Sequence, residues 1–223
     1  MKKKIFIIGF CFVFLQFNYA QMSAGVTLGC INYQGDLVKG YVDLKEINIG
    51  YGLLVAKQFD NPKFSLKGQL QLGEISGNDA NYPDRQNRGV KFTSPITFIG
   101  SAVQYAPFAR NAFNSDGDFI PQTNVFVSAG VGVTFINPKV QGLAANAPDR
   151  NATIPTALLT IPLGIGLHFD MTEEWSLALQ GSFFVTSTDY LDGISIAGTP
   201  SNNDYFFFYG LSLARKWGYN KKR

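Results

Sequence analysis

Residues 157–169 read "ALLTIPLGIGLHF". Ala157, Leu159, Ile161, Leu163, Ile165, Leu167 and Phe169 are apolar and occupy every second position. Between them lie Leu158, Thr160, Pro162, Gly164, Gly166 and His168, which are mostly small or polar. Side chains of a β-strand point alternately to its two faces, so a period of two marks a strand with one apolar face. The run is longer than the usual soluble strand of about 5–6 residues. Pro162 lacks an N–H and removes one donor from the ladder.

The same pattern recurs on either side. Trp175, Leu177, Leu179, Phe183 and Val185 alternate with Ser176, Ala178, Gln180, Ser182 and Phe184. Tyr205, Phe207, Tyr209, Leu211, Leu213 and Trp217 alternate with Phe206, Phe208, Gly210, Ser212, Ala214 and Lys216. "NVFVSAGVGVTFI" (124–136), "FSLKGQLQL" (64–72), "INIGYGLLVAKQF" (47–59) and "MSAGVTLGCI" (22–31) follow suit. "SPITFIGSAVQYAPF" (94–108) carries apolar residues on both faces. These make eight strands.

The second face decides which solvent the first one meets. In a water-soluble calyx the outer face would be charged. Here it is Gly, Ser, Thr, Gln and an occasional Lys, a set suited to a narrow interior, with the apolar face turned to lipid. A secreted soluble barrel is the competing fold. Phe59, Phe169, Trp175, Tyr205 and Trp217 near the strand ends suit aromatic girdles. The expected fold is an all-β, eight-stranded antiparallel up-and-down transmembrane β-barrel spanning residues 21–223.

The connections agree. Those after strands two, four and six are "DNPK", "ARNAFNSDGDFIP" and "DMTEE", while those at 33–46, 77–92, 138–155 and 187–203 are long. Outer-membrane barrels have short periplasmic turns and longer outside loops. Both termini are therefore expected in the periplasm of a Gram-negative cell and the long loops outside. Residues 1–20 fit a signal peptide: "MKKK", then "IFIIGFCFVFLQF", with cleavage after Ala20. A retained anchor is the competing reading. With the leader removed, Cys30 is the one remaining cysteine, which excludes an internal disulfide.

Charge and chemistry narrow the function classes. The net charge of +3 is scattered except at the chain ends, unlike a nucleic-acid footprint. His168 is the sole histidine and is expected to point inward near the periplasmic end. Asp189 and Asp192 belong to the opposite end, too distant to share a proton with it. As loop carboxylates they are expected to be solvated. "NSDGDF" (114–119) fails the EF-hand spacing and reads as a turn. No catalytic, cofactor or metal residues are expected, nor a small-molecule substrate. Eight strands leave an interior about wide enough for side chains, and Phe126, Phe184, Phe206 and Phe208 are expected to help plug it.

Four motifs fall at the outside ends of strands. They are "NYQGDL" (32–37), "ISGNDA" (75–80) with "RGVKF" (88–92), "NPK" (137–139) and "TDYLDGIS" (188–195). In order and spacing the chain resembles the PorG-like outer-membrane barrels associated with the type IX secretion system. The resemblance implies a non-enzymatic structural or assembly component in the outer membrane, in contact with lipid and with the periplasmic ring lipoprotein of that machinery. The motif residues Tyr33, Gly35, Asp36, Arg88, Asn137, Pro138, Asp189, Tyr190 and Asp192 are the outer-rim candidates. They are expected to fold into a cap, with Arg88 or Lys139 pairing with Asp36, Asp189 or Asp192. A stand-alone surface barrel for adhesion or envelope integrity is the alternative. A membrane-embedded lipid hydrolase is a third class, and it lacks a clustered His/Ser/carboxylate set.

Overall fold

The computed structural model describes residues 21–35, 37–38, 44–83, 89–142, 147, 149, 154–194 and 204–218. Residues 1–20, where a signal peptide is expected, Asp36, Arg88, Ser195 and residues 219–223 lie outside the described residues.

The alternating segments become β1 (Met22–Gln34), β2 (Asn48–Gln58), β3 (Phe64–Asn78), β4 (Lys91–Tyr105), β5 (Gln122–Ile136), β6 (Lys139–Gln141), β7 (Ala157–Asp170), β8 (Trp175–Thr186) and β9 (Tyr205–Trp217). Each long strand pairs antiparallel with its neighbours in the chain. The ring closes where β1 pairs with β9, from Met22 opposite Trp217 to Gln34 opposite Tyr205. Closure removes both free sheet edges, the only way a sheet can satisfy its backbone groups inside a bilayer.

The small element β6 is not an independent ninth stave. Ile96 of β4 faces Ile136 of β5, and Thr93 faces Lys139 of β6 in the same register. β5 and β6 are one strand interrupted at Asn137–Pro138, where proline has no N–H to give. The barrel therefore has eight staves, one with a broken tip.

Three loop expectations need correction. The 138–155 connection begins with strand, because β6 extends β5. The 77–92 connection is shorter than the alternation suggested, because Gly77 and Asn78 pair with Phe92 and Lys91. The 33–46 connection gives up Tyr33 and Gln34 to β1 and ends in a 3-10 turn at Leu44–Glu46. Polar and glycine-rich sequence hid these extensions, since cross-strand pairing holds them there. At Pro162 the expected defect is present. The β5–β7 ladder skips from Ala129–Leu163 to Gly132–Thr160 and keeps its register.

The barrel is inverted relative to a soluble protein. Leu28 on the outer face is 63% exposed, whereas Phe184 inside is 0% exposed. Val26, Ile49, Leu53, Ile99, Val131, Ile165, Leu179 and Leu211 continue the exposed belt around the ring. A continuous apolar surface of this extent belongs against hydrocarbon, so this is a transmembrane barrel. Phe59, Phe64, Tyr105, Phe108, Trp175 and Trp217 are exposed toward one end of it.

Inside, the two halves differ. The short connections 59–63, 106–121 and 171–174 define a turn end, which also carries the described chain ends. Toward the opposite loop end the lumen is filled by an apolar cluster that includes Ile31, Tyr33, Ile75, Phe92, Ile96, Phe98, Phe184, Phe206 and Phe208. Phe98 meets Phe184 edge-on at 4.9 Å, and Phe184 stacks on Phe206 at 4.4 Å. Each such pair adds about 0.5–1.5 kcal/mol beyond its buried area. Inward Phe92, Ile96 and Phe98 also explain why β4 looked apolar on both faces. Phe126 is a correction: it is buried in the wall of a turn-end cavity and does not join this plug.

Candidate functional site

The loop end holds a buried polar cluster on top of the plug. Tyr33 continues the inward face of β1, and its hydroxyl donates toward Asp192 Oδ2 at 2.7 Å and Asp204 Oδ1 at 2.9 Å. Its ring lies edge-on to Phe92 at 4.9 Å. One hydroxyl thus ties β1 to both ends of the β8–β9 loop. Asp192 Oδ1 also accepts the backbone N–H of Ile194 at 2.8 Å, an Asp turn that the left-handed Gly193 (φ 82°) completes. Asp204 Oδ2 accepts the N–H of Leu191 at 3.0 Å. Leu191 and Ile194 then drop into the apolar cluster. The loop is folded over the lumen by its own carboxylates and anchored by its own hydrophobes.

Close approach explains Gly35. A Cβ built there would collide with Tyr33 Oη and Asp204 Oδ1. A Cβ on Gly193 would meet Val140 at 2.8 Å and Pro138 at 3.2 Å, so the broken tip of the β5–β6 stave packs on the same loop.

A second clamp joins the neighbouring loops. Glu46, buried in its 3-10 turn, accepts from Asn81 Nδ2 at 2.6 Å, Asn78 N at 3.0 Å and Ser76 Oγ at 3.1 Å. Asp79 is fully buried and accepts the N–H of Val90 at 3.1 Å. Buried carboxylates with several donors fix a loop in one conformation, because every alternative strands a charge away from water.

The structure gathers most, not all, of the rim candidates. Tyr33, Gly35, Pro138 and Asp192 meet around the cluster, with Tyr190 half-buried beside it. Asp189 is buried within the same loop. The expectation of solvated loop carboxylates is corrected: Asp189 is 8% exposed and Asp192 0%. Their loop folds inward on Leu191 and Ile194, which sequence spacing does not show. Asn137 is exposed. Lys139 is exposed as well and makes no ion pair among the described residues, so the expected pairing through Lys139 is not formed. Asp36 and Arg88, the other residues of that pairing, are not described. Asp204, Glu46 and Asp79 were missed as cluster members. Asp79 stands inside a quoted motif, whereas isolated acids such as Asp204 and Glu46 give no periodic signal.

The turn end is different. A cavity of about 230 Å³ opens there, lined by Lys67, Gln180, Asn124, His168, Asp170 and Lys216 among others. The 106–121 turn packs across its mouth. Gln122 holds Arg110 N at 3.1 Å and Asn111 O at 2.9 Å, and Lys216 Nζ lies 5.1 Å from the Phe119 ring centre. Within that turn Asn114 Oδ1 accepts the N–H of Asp116 and of Asp118, and Gly117 adopts φ 86°. His168 lines the cavity at the level of Ala178 on β8. The eight steps from Ala178 to Thr186 rise about 26 Å along the strand, so His168 and the loop aspartates cannot share a substrate.

The fold has known counterparts. Neisserial surface protein A is 7% identical, with a TM-score of 0.51, over 88% of this chain and 97% of that one. The Ail attachment invasion locus protein of Yersinia pestis is 10% identical with a TM-score of 0.46, over 89% of this chain and 99% of that one. A major outer membrane protein of Thermus thermophilus is 13% identical with a TM-score of 0.45, over 89% and 99%. At such identity the first likeness bears on the fold alone. No curated protein matches the chain. The model of a family described as Domain of unknown function (DUF6089) matches residues 3–220, and the chain belongs to that family.

Proposed function

We propose that this chain is a non-enzymatic outer-membrane barrel serving as a structural or assembly component of the type IX secretion machinery. The observation that carries a structural role is the closed lumen. Phe98, Phe184, Phe206 and Phe208 fill the loop half of the barrel, and the Tyr33–Asp192–Asp204 cluster seals it. A barrel blocked in this way is a scaffold in the membrane rather than a diffusion pore. The lipid-facing belt supports the outer-membrane location. The four rim motifs support the link to PorG-like barrels. With the termini in the periplasm, the turn end faces the periplasmic ring lipoprotein, its expected partner.

A second reading, a stand-alone surface barrel for adhesion or envelope integrity, is favoured by one observation. The most elaborate packing lies at the loop end, which faces outward in the same orientation. Crosslinking in intact cells followed by purification of the barrel separates the two. Recovery of the ring lipoprotein supports the secretion role. Recovery of the barrel without any secretion component overturns it and leaves the surface role.

A further inference from the structure

The turn-end cavity contains a lysine that the structural role does not use. Lys67 projects inward from β3, is 5% exposed, and donates to Gln180 Oε1 at 2.9 Å from across the barrel. An ammonium has three N–H donors, and Gln180 satisfies one. Lys67 makes no ion pair among the described residues. Asp170, an acid of the same lining, is already bound by Lys216. Over the whole lining, Lys63, Lys67, Arg110 and Lys216 stand against Asp60 and Asp170, four cations to two carboxylates. A buried cation without a counter-charge carries a large desolvation cost, which an anion of matching size would offset.

The geometry points to an anion site in this cavity: a single oxyanion group, phosphate or carboxylate, held by Lys67 with Asn124 and Gln180 as neighbouring hydrogen-bonding groups. The cavity, of about 230 Å³, is large enough for such a group. The plug closes the far side, so entry is from the turn end. This inference is independent of the secretion role, because it requires only the cavity and its charge.

Two sources of the anion are open to it: a free anion, or a carboxylate at the end of a polypeptide. The test uses the purified full chain folded in detergent and titrated by calorimetry at low ionic strength. One arm uses inorganic phosphate; the other uses a short peptide with a free C-terminal carboxylate and its amidated twin. Saturable binding of phosphate identifies a free-anion site. Binding of the acid peptide but neither its amide nor phosphate identifies a polypeptide terminus. Lys67→Gln keeps a hydrogen-bonding partner for Gln180 and removes the charge, and is expected to weaken binding at least tenfold. Lys67→Arg retains it, and Lys57→Gln, outside the cavity lining, leaves it unchanged. Heat-dependent gel mobility confirms that each variant is folded. Absence of saturable binding in both arms, which would mean that water alone fills the cavity, overturns the inference. So does undiminished binding by folded Lys67→Gln.

Discussion

Replacing Tyr33 with Phe removes one oxygen atom and leaves the ring. The ring's edge-on contact with Phe92 at 4.9 Å is preserved, so packing is nearly constant. What is lost is the hydroxyl donated toward Asp192 at 2.7 Å and Asp204 at 2.9 Å. Both carboxylates are almost fully buried, at 0% and 1% exposure, so water cannot take the place of the lost donor without opening the loop. Hydrogen bonds to charged groups contribute about 1.5–3 kcal/mol each in proteins. One shared proton counts once, so the expected loss is about 1.5–3 kcal/mol rather than twice that. Urea unfolding of the barrel in lipid vesicles, followed by heat-modifiable gel mobility, measures it. Asp192→Asn and the double variant complete a thermodynamic cycle. Side chains joined by a hydrogen bond are expected to couple by about 0.5–3 kcal/mol. A loss below about 0.5 kcal/mol in Tyr33→Phe, with additive behaviour in the double variant, would refute the view that this cluster latches the loop.

Two further outcomes test the rest of the barrel. Phe184→Ala removes the ring that stacks on Phe206 and meets Phe98 edge-on, and should cost about 3–5 kcal/mol. It should also raise ion conductance in planar bilayers above the closed wild-type baseline. Unchanged conductance in a folded variant would place the seal elsewhere. Leu163→Arg, at the middle of the outer face of β7, should destabilise the barrel in vesicles by about 2–4 kcal/mol. A soluble protein would tolerate the same surface change, so a neutral result would contradict the lipid-facing belt.

The staves and their two faces are legible in the residue order alone. Alternation is a local property: Leu159, Ile161 and Leu163 announce their common face because a strand has a period of two. Length, the short turns and the neutral inner set then implied closure and lipid. Even the weak point at Pro162 was legible, because a missing N–H is written in the residue. How the loop end is finished emerges only when the barrel is closed. Tyr33 reaches Asp192 and Asp204 across 159 and 171 residues of chain, a separation that no periodic pattern encodes. Asp189 and Asp192 read as solvated because acids in loops usually are. They are buried because Leu191 and Ile194, in the same loop, carry it inward as they enter the plug, and Asp192 meets the Tyr33 hydroxyl and the Ile194 N–H there. The division of the lumen into an apolar half and a polar, lysine-bearing half also follows from register. Closing the ring sets which inward residues share a level, and that choice places Phe184 beside Phe98 and Lys67 opposite Gln180.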